Sequence, residues 1–184
     1  MPVIRMKVPF EPGEAEKLRS GNQVLLSGTI FTARDAAHKR MTEQLAIGEE
    51  LPLELEGQVI YYVGPTPARP GEAIGSAGPT TSSRMDAYTP DLMAHGLKGM
   101  IGKGYRSEEV INSIKEFSGI YMVSIGGTGA LLAQKIISSE LVAYEDLGTE
   151  AIRKIEVRDF PCIVINDSEG NDFYKESQEE YSRN

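Results

Sequence analysis

The feature that most limits how this chain can fold is residues 64–84, GPTPARPGEAIGSAGPTTSSR, which hold four prolines and four glycines. Proline lacks a backbone donor and fixes φ, so this stretch is excluded from helix interiors and from central strands. It follows an apolar run, GQVIYYV (57–63), that reads as a strand, and it precedes a short helical segment, DLMAHG. Any fold must therefore carry a connection of about twenty residues leaving the end of a strand. In a compact domain a loop of that length is usually functional or disordered. Its small residues admit a ligand close to the backbone, and Arg84 at its end can pair with a phosphate or a carboxylate.

Hydrophobic periodicity supplies the rest. VIRMKV (3–8) alternates as a half-buried strand, and PGEAEKLRSG is a short helix or turn ended by Gly21. QVLLSGTIFT (23–32) is a strong strand with Gly28 as a candidate bulge. ARDAAHKRMTEQLAIG places Ala37, Met41 and Leu45 on one helical stripe, with Gly48 at its C-terminal cap. KGMIGKG is a short apolar piece between glycines, and SEEVINSIKEF is a helix with Ser107 as N-cap and Glu108 and Glu109 at its positive end. IYMVSI is a buried strand, GGTGALLAQKII a turn into a helix over 130–137, and LVAYEDL and IRKIEVRDFPCIVIND supply two or three further strands. Roughly seven strands and four helices, with strands often consecutive, imply a mixed-sheet α/β or α+β single domain rather than a regular βαβ array. The domain is set at 1–174, with 175–184 an acidic polar tail.

Charge and counting exclude several functions. A formal net charge of −8 argues against nucleic acid as a partner, because phosphate binding needs basic surface. Half of that excess lies after Asn166, where six acids face Lys175 and Arg183, in a stretch expected to fray. No apolar run reaches the roughly 20 residues of a membrane span, and MPVIRMKVPF lacks a signal-peptide core, so a cytoplasmic protein is expected. Cys162 is the only cysteine and there are two histidines, so an iron–sulfur cluster held by this chain alone is excluded. Cys162 sits in FPCIVIN and reads as a buried, inert thiol. Gly127 and Gly129 fit the first two positions of a dinucleotide fingerprint, but Leu132 occupies the third. No GxxxxGK[ST] pattern exists either.

What remains is a set of cations at strand-to-helix and loop positions. Arg34 and His38 share one face at the start of a helix, with Arg40 nearby, in a place where the helix dipole disfavours arginine. Lys103 is flanked by glycines, and Arg84 is followed by Asp86. Convergence of Arg34, Arg84 and Lys103 with backbone N–H groups suits a dicarboxylate or a phosphate. No Ser-His-Asp set is apparent. Chemistry alone stops at an anion-binding domain without a self-sufficient catalytic apparatus.

SGTIFTARDAAHKR, EGQVIYYVGPTPARPGEAIGSAGPTTSSRMD, KGMIGKG and IGGTGALLAQ, in that order, resemble the β subunit of class I, iron–sulfur-dependent fumarate hydratase and of L-tartrate dehydratase. They are also similar to the C-terminal domain of single-chain class I fumarases. The resemblance covers about residues 5–175. It implies a swivelling β/β/α domain that pairs with an α subunit, whose three cysteines hold a four-iron, four-sulfur cluster. The implied reaction is reversible hydration of fumarate to (S)-malate, or dehydration of L-tartrate to oxaloacetate. Carried over by motif, Arg34 and Arg84 are clamps on the substrate carboxylates, and Lys103 is a further carboxylate contact with a catalytic role. Thr80 or Thr81 is the proton-transferring hydroxyl, with Thr80 preferred and Thr81 a substrate contact, and His38 supports Arg34. The implied assembly is a hetero-oligomer, with self-association of the chain alone left open. A non-catalytic dicarboxylate- or phosphate-binding module is the competing class.

Overall fold

The computed structural model describes residues 2–124 and 129–182. Seven strands are present: β1 (Ile4–Val8), β2 (Gln23–Thr32), β3 (Val59–Tyr61), β4 (Gly99–Gly102), β5 (Ile120–Val123), β6 (Ile136–Ala143) and β7 (Ile152–Asn166). The α-helices are α1 (Asp35–Ala46), α2 (Thr89–Ala94), α3 (Glu108–Glu116), α4 (Gly129–Ala133) and α5 (Phe173–Ser182). No helix among the described residues is long and apolar enough to cross a membrane.

The strands form one mixed sheet in the order β1-β2-β3-β4-β5-β7-β6, with β7 also paired to β2. β1 to β5 run parallel to their neighbours, whereas β7 is antiparallel to β2, β5 and β6. Pairing therefore runs from β2 through β3, β4 and β5 to β7 and returns to β2. A closed circuit of this kind leaves few bare edges, and it packs one set of alternating side chains inside. Val24, Leu26, Ile30, Val59, Tyr61, Ile101, Ile120, Met122, Ile155, Val157 and Phe160 fill that inner core. Their neighbours Phe31, Ile60, Tyr62, Met100 and Tyr121 point to the other face, where Ala37, Met41, Leu92, Val110 and Ile114 of α1, α2 and α3 cover them. Strand, strand and helix layers result, in line with the mixed α/β class expected from the sequence.

Local features follow their residues. Gly28, at φ +124°, sits where the β2–β7 register shifts, and a side chain there would strike the Val8 carbonyl. Ser107 Oγ accepts the Val110 N–H at the start of α3, the cap read from the sequence.

Three expectations change. The helix expected over 130–137 ends at Ala133, and Ile136 begins β6. The long β7 offers a ladder along which Ile136–Ala143 pair with Ile152–Val157, and this outweighs the local helix propensity of ALLAQKII. LVAYEDL is correspondingly split, with Tyr144 at φ +59° opening a 3-10 turn over Glu145–Glu150. The acidic stretch expected to fray instead forms α5 through Ser182. Asp172 Oδ1 accepts the Tyr174 and Lys175 N–H groups, and Ser20 Oγ donates to Glu176 at 2.7 Å. These contacts tie its first turns to the body.

Candidate functional site

The parallel strands deliver their C-terminal ends to one rim, the usual place for a ligand in an α/β sheet. The proline-rich segment returns to that rim and is stitched into it. Thr80 N–H donates to the Tyr62 carbonyl at 2.8 Å, just past the end of β3. Lys103 N–H donates to the Thr80 carbonyl at 3.2 Å, and Ser82 N–H to the Lys103 carbonyl at 2.9 Å. Thr81 and Lys103 thus form a parallel bridge beyond the end of β4. Arg34 follows β2, one residue after Ala33, whose N–H bonds the Tyr61 carbonyl at 3.2 Å. The backbone alone therefore brings Arg34, Thr80, Thr81, Arg84 and Lys103 to one edge, although they lie far apart in the chain.

The charges at this edge are interlocked. Asp35, the first residue of α1, accepts Arg34 Nε at 3.2 Å on one oxygen and Arg84 Nε at 2.6 Å on the other. Glu150, from the 3-10 turn before β7, also pairs with Arg34 Nε at 3.1 Å, and its second oxygen accepts Ala36 N–H at 3.0 Å. Glu150 thereby caps α1, whose own N-cap position is taken by Arg34 and lacks a side-chain acceptor. Burial pushes the Asp35 pKa up, but its backbone hydrogen bond and the two guanidiniums outweigh that and hold the carboxyl below its usual range. Arg34 is about one-fifth exposed and lies against Gly64, where a Cβ would sit 2.9 Å from Nη1. Arg84 is half exposed.

Lys103 is exposed, and among the described residues it has no ion pair or side-chain hydrogen bond. Thr80 is partly buried and Thr81 exposed. The rim is therefore a partly neutralised cationic patch: two arginines held at Nε by acids, and an ammonium with no partner among the described residues on the strand end that pairs with Thr80 and Thr81.

Beneath the rim lies a buried network that the sequence reading missed. Arg106, fully enclosed, donates from Nε to Asp86 at 2.7 Å and from Nη2 to Thr89 at 2.8 Å. Its guanidinium stacks 4.9 Å from the Tyr121 ring centre and 5.4 Å from that of Tyr62. Tyr121 hydroxyl bonds Ser82 Oγ and the Gly104 carbonyl, which pins both sides of the Thr81–Lys103 bridge. Nothing local marks Arg106, which stands before a polar helix cap; only Asp86, noted beside Arg84, hinted at a partner. His38 is wholly buried below Arg34, with Nδ1 3.0 Å from the Arg34 carbonyl and its ring edge-on to Tyr62. Burial is the main reason its imidazolium is disfavoured, with the pKa pushed down to about 4.

Cofactor capacity is limited. No three His, Cys, Asp or Glu side chains among the described residues are placed to hold a metal. Cys162 is buried in the inner core, and burial drives its thiol pKa upward, as expected for an inert cysteine. These residues do not fit an iron–sulfur cluster. Gly127 of the glycine-rich turn lies outside the described residues. Gly129 packs on Gly78, and its carbonyl accepts Ala77 N–H at 3.1 Å. A cleft of about 480 Å³ runs elsewhere, between residues 66–76, α4 and the start of β6, and contains none of the site residues expected from the sequence.

Comparison with known proteins gives the family of the chain. A family profile described as "Fumarase C-terminus" matches residues 3–177. The chain is similar to "Fumarate hydratase class I, aerobic" of Escherichia coli (strain K12), at 47% identity over 155 residues, covering 83% of this chain and 28% of that protein. Similarity to "Fumarate hydratase 2" of Leishmania major is 42% over 159 residues, 85% of this chain and 28% of that protein. With "Putative L(+)-tartrate dehydratase subunit beta" of Methanocaldococcus jannaschii, identity is 36% over 169 residues, 89% of this chain and 87% of that protein. The chain thus spans about a quarter to a third of the length of the fumarate hydratases it matches.

Proposed function

The chain belongs to the fumarase C-terminus family, and from that premise we propose that it is the β subunit of a class I fumarate hydratase, working with a separate α subunit. The observation that carries this reading is the rim itself: Arg34 and Arg84 joined through one carboxylate, with Lys103 unpaired among the described residues and bonded through its backbone to Thr80. Fumarate and (S)-malate are dianions, and such a rim offers three cations to two carboxylates.

Removing a proton alpha to a carboxylate builds negative charge on that group. Cations fixed in advance stabilise this charge without reorganising during the reaction. In this role Arg34 and Arg84 hold the substrate carboxylates through their Nη groups, and Lys103 adds a point charge. Thr80 transfers the proton at the substrate carbon. An alcohol is a weak base near pH 7 and needs a carboxylate beside it to accept its own proton, a group that the α subunit would provide. The four-iron, four-sulfur cluster of this reading would be held by three cysteines of the α subunit, since the described residues here offer no ligand set. The pair would act in the cytoplasm, in the tricarboxylic acid cycle.

A second reading, dehydration of L-tartrate, is favoured by one observation: the chain covers 87% of a protein named as a tartrate dehydratase β subunit. The same cations would serve it. Anaerobic reconstitution with a cluster-bearing α subunit tests both. Fumarate hydration by the mixture, faster than L-tartrate turnover, is the expected result. The reverse ratio selects tartrate, and a competent pair inactive on both substrates leaves only an anion-binding module.

A further inference from the structure

Among the described residues, Asp35 is the one side chain that bonds both arginines of the rim. Each of its oxygens takes a different Nε, Arg34 at 3.2 Å and Arg84 at 2.6 Å. Arg34 comes from the β2–α1 junction and Arg84 from the end of the proline-rich segment, so this contact joins two parts of the fold that no backbone hydrogen bond links directly. A guanidinium is a planar fork with five N–H groups. Anchoring it at Nε fixes the plane and leaves the Nη pair for a carboxylate, which such a fork meets in bidentate fashion. Two neighbouring guanidiniums also repel, and a shared anion between them offsets that repulsion. Without it, the half-exposed Arg84 would be free to sample other rotamers.

We infer that Asp35 is a positioning residue, setting the spacing and orientation of Arg34 and Arg84 for the two carboxylates of the substrate. The inference rests on the hydro-lyase reading above. The ordinary alternative is that Asp35 serves only as an acid in the first turn of α1, where the helix dipole favours it. Glu150 already caps that turn through Ala36 N–H, so the helix start has a second support.

The two roles differ in what they move. In the reconstituted pair, Asp35→Asn should raise the KM for fumarate about tenfold while kcat falls less than about threefold, the signature of lost ground-state alignment. Asp35→Glu, which keeps the charge, should recover part of the loss. Combined with Arg84→Ala, the loss in kcat/KM should be clearly smaller than the product of the two single losses, because Asp35 acts partly through Arg84. An unchanged KM, or losses that multiply fully, would overturn the inference.

A second readout does not depend on activity. Arginine Nε–H resonances of the chain itself should show Arg34, Arg84 and Arg106 protected in the wild type. Asp35→Asn should release the Arg84 signal while Arg106, held by Asp86, stays protected. If the Arg84 signal is unmoved, Asp35 does not position it. A wild-type pair that turns over neither substrate sinks the parent reading, and the resonance experiment still decides the role of Asp35.

Discussion

Asp86 and Arg106 form the ion pair under the rim: Nε to Oδ1 is 2.7 Å, the Arg106 side chain is fully enclosed, and the second carboxylate oxygen accepts Ser107 N–H at 2.8 Å. The pair ties the segment before α2 to the segment before α3, and so fixes where Arg84 and Lys103 emerge. Removing one member strands the other with little water to solvate it. Arg106→Met should therefore cost about 3–5 kcal/mol of stability. The double change Arg106→Met with Asp86→Asn should cost less than the single one. Urea denaturation reads both, and a loss below about 1 kcal/mol in the single variant would mean that the pair is not an anchor.

Gly102 ends β4 directly against the threonine-rich segment. A Cβ there would lie 2.0 Å from Ser82 Oγ and 2.9 Å from a Tyr62 ring carbon. Gly102→Ala must push Ser82 away and break its hydrogen bond with Tyr121. The expected cost is about 1–3 kcal/mol from overpacking. Ser82→Gly in the same chain should recover part of it in thermal melts. No recovery would show that Tyr62 or the backbone, rather than Ser82, is the obstacle.

How much of this was legible beforehand depends on how local each cause is. β1, β2, α1 and α3 follow from period and capping, and Gly28 announced its bulge, because neighbours within a few residues decide them. The segment 64–84 stood out through proline and glycine alone. That Arg34, Arg84 and Lys103 share a rim was expected from charge and from motif resemblance, yet the means was hidden. It depends on strand order and on Thr80 inserting beside Tyr62, pairings that no local pattern encodes. Arg106 reads as a surface residue until Asp86, twenty residues earlier, is placed beside it. β6 was misread because ALLAQKII suits a helix as well as a strand, and only the long β7 ladder decides. α5 looks like a frayed tail in the sequence because its acids hide two anchors in its first turn, Phe173, which packs on Gly21, and Tyr174, whose ring lies against Tyr105.

His38 gives the fold a pH dependence of known sign. Its folded pKa is about 4 against 6.5 for the free side chain, burial being the main cause, with Arg106 adding to it and the Arg34 carbonyl and Asp35 opposing. The folded state therefore prefers neutral imidazole. Its contribution is fully present above pH 6.5 and is lost as pH falls toward 4, up to about 3 kcal/mol in all. The lowered carboxyls of Asp35 and Asp167 lose their contribution only at lower pH. Stability measured by urea denaturation at several pH values should decline between pH 6.5 and 4, and His38→Asn should flatten that decline. An unchanged slope in the variant would assign the acid sensitivity to the carboxylates.

Arg84 is half exposed, and its described hydrogen bond is to Asp35, so the fold does not rest on it. Arg84→Ala should leave the melting temperature of the chain nearly unchanged, as for a surface substitution. In the reconstituted pair, where the α subunit would cover the rim, the proposed function has the same change remove a cation that faces a substrate carboxylate. The loss in kcat/KM should correspond to about 2–5 kcal/mol. Loss of the fold together with the activity would make Arg84 structural and remove it from the substrate site.

Thr80 separates proton transfer from binding. Its N–H and carbonyl are both committed to the strand ends, to Tyr62 and Lys103, so a change of side chain leaves the segment in place. Thr80→Val keeps the β-branched shape and deletes only the hydroxyl. If that hydroxyl carries the proton, kcat should fall about 10²- to 10⁴-fold with little change in KM. Thr80→Ser should keep much of the activity, and Thr81→Val, at the exposed bridge position, should act mainly on KM. The reverse pattern, with kcat collapsing in Thr81→Val and surviving in Thr80→Val, would move the proton-transferring role one residue along the chain.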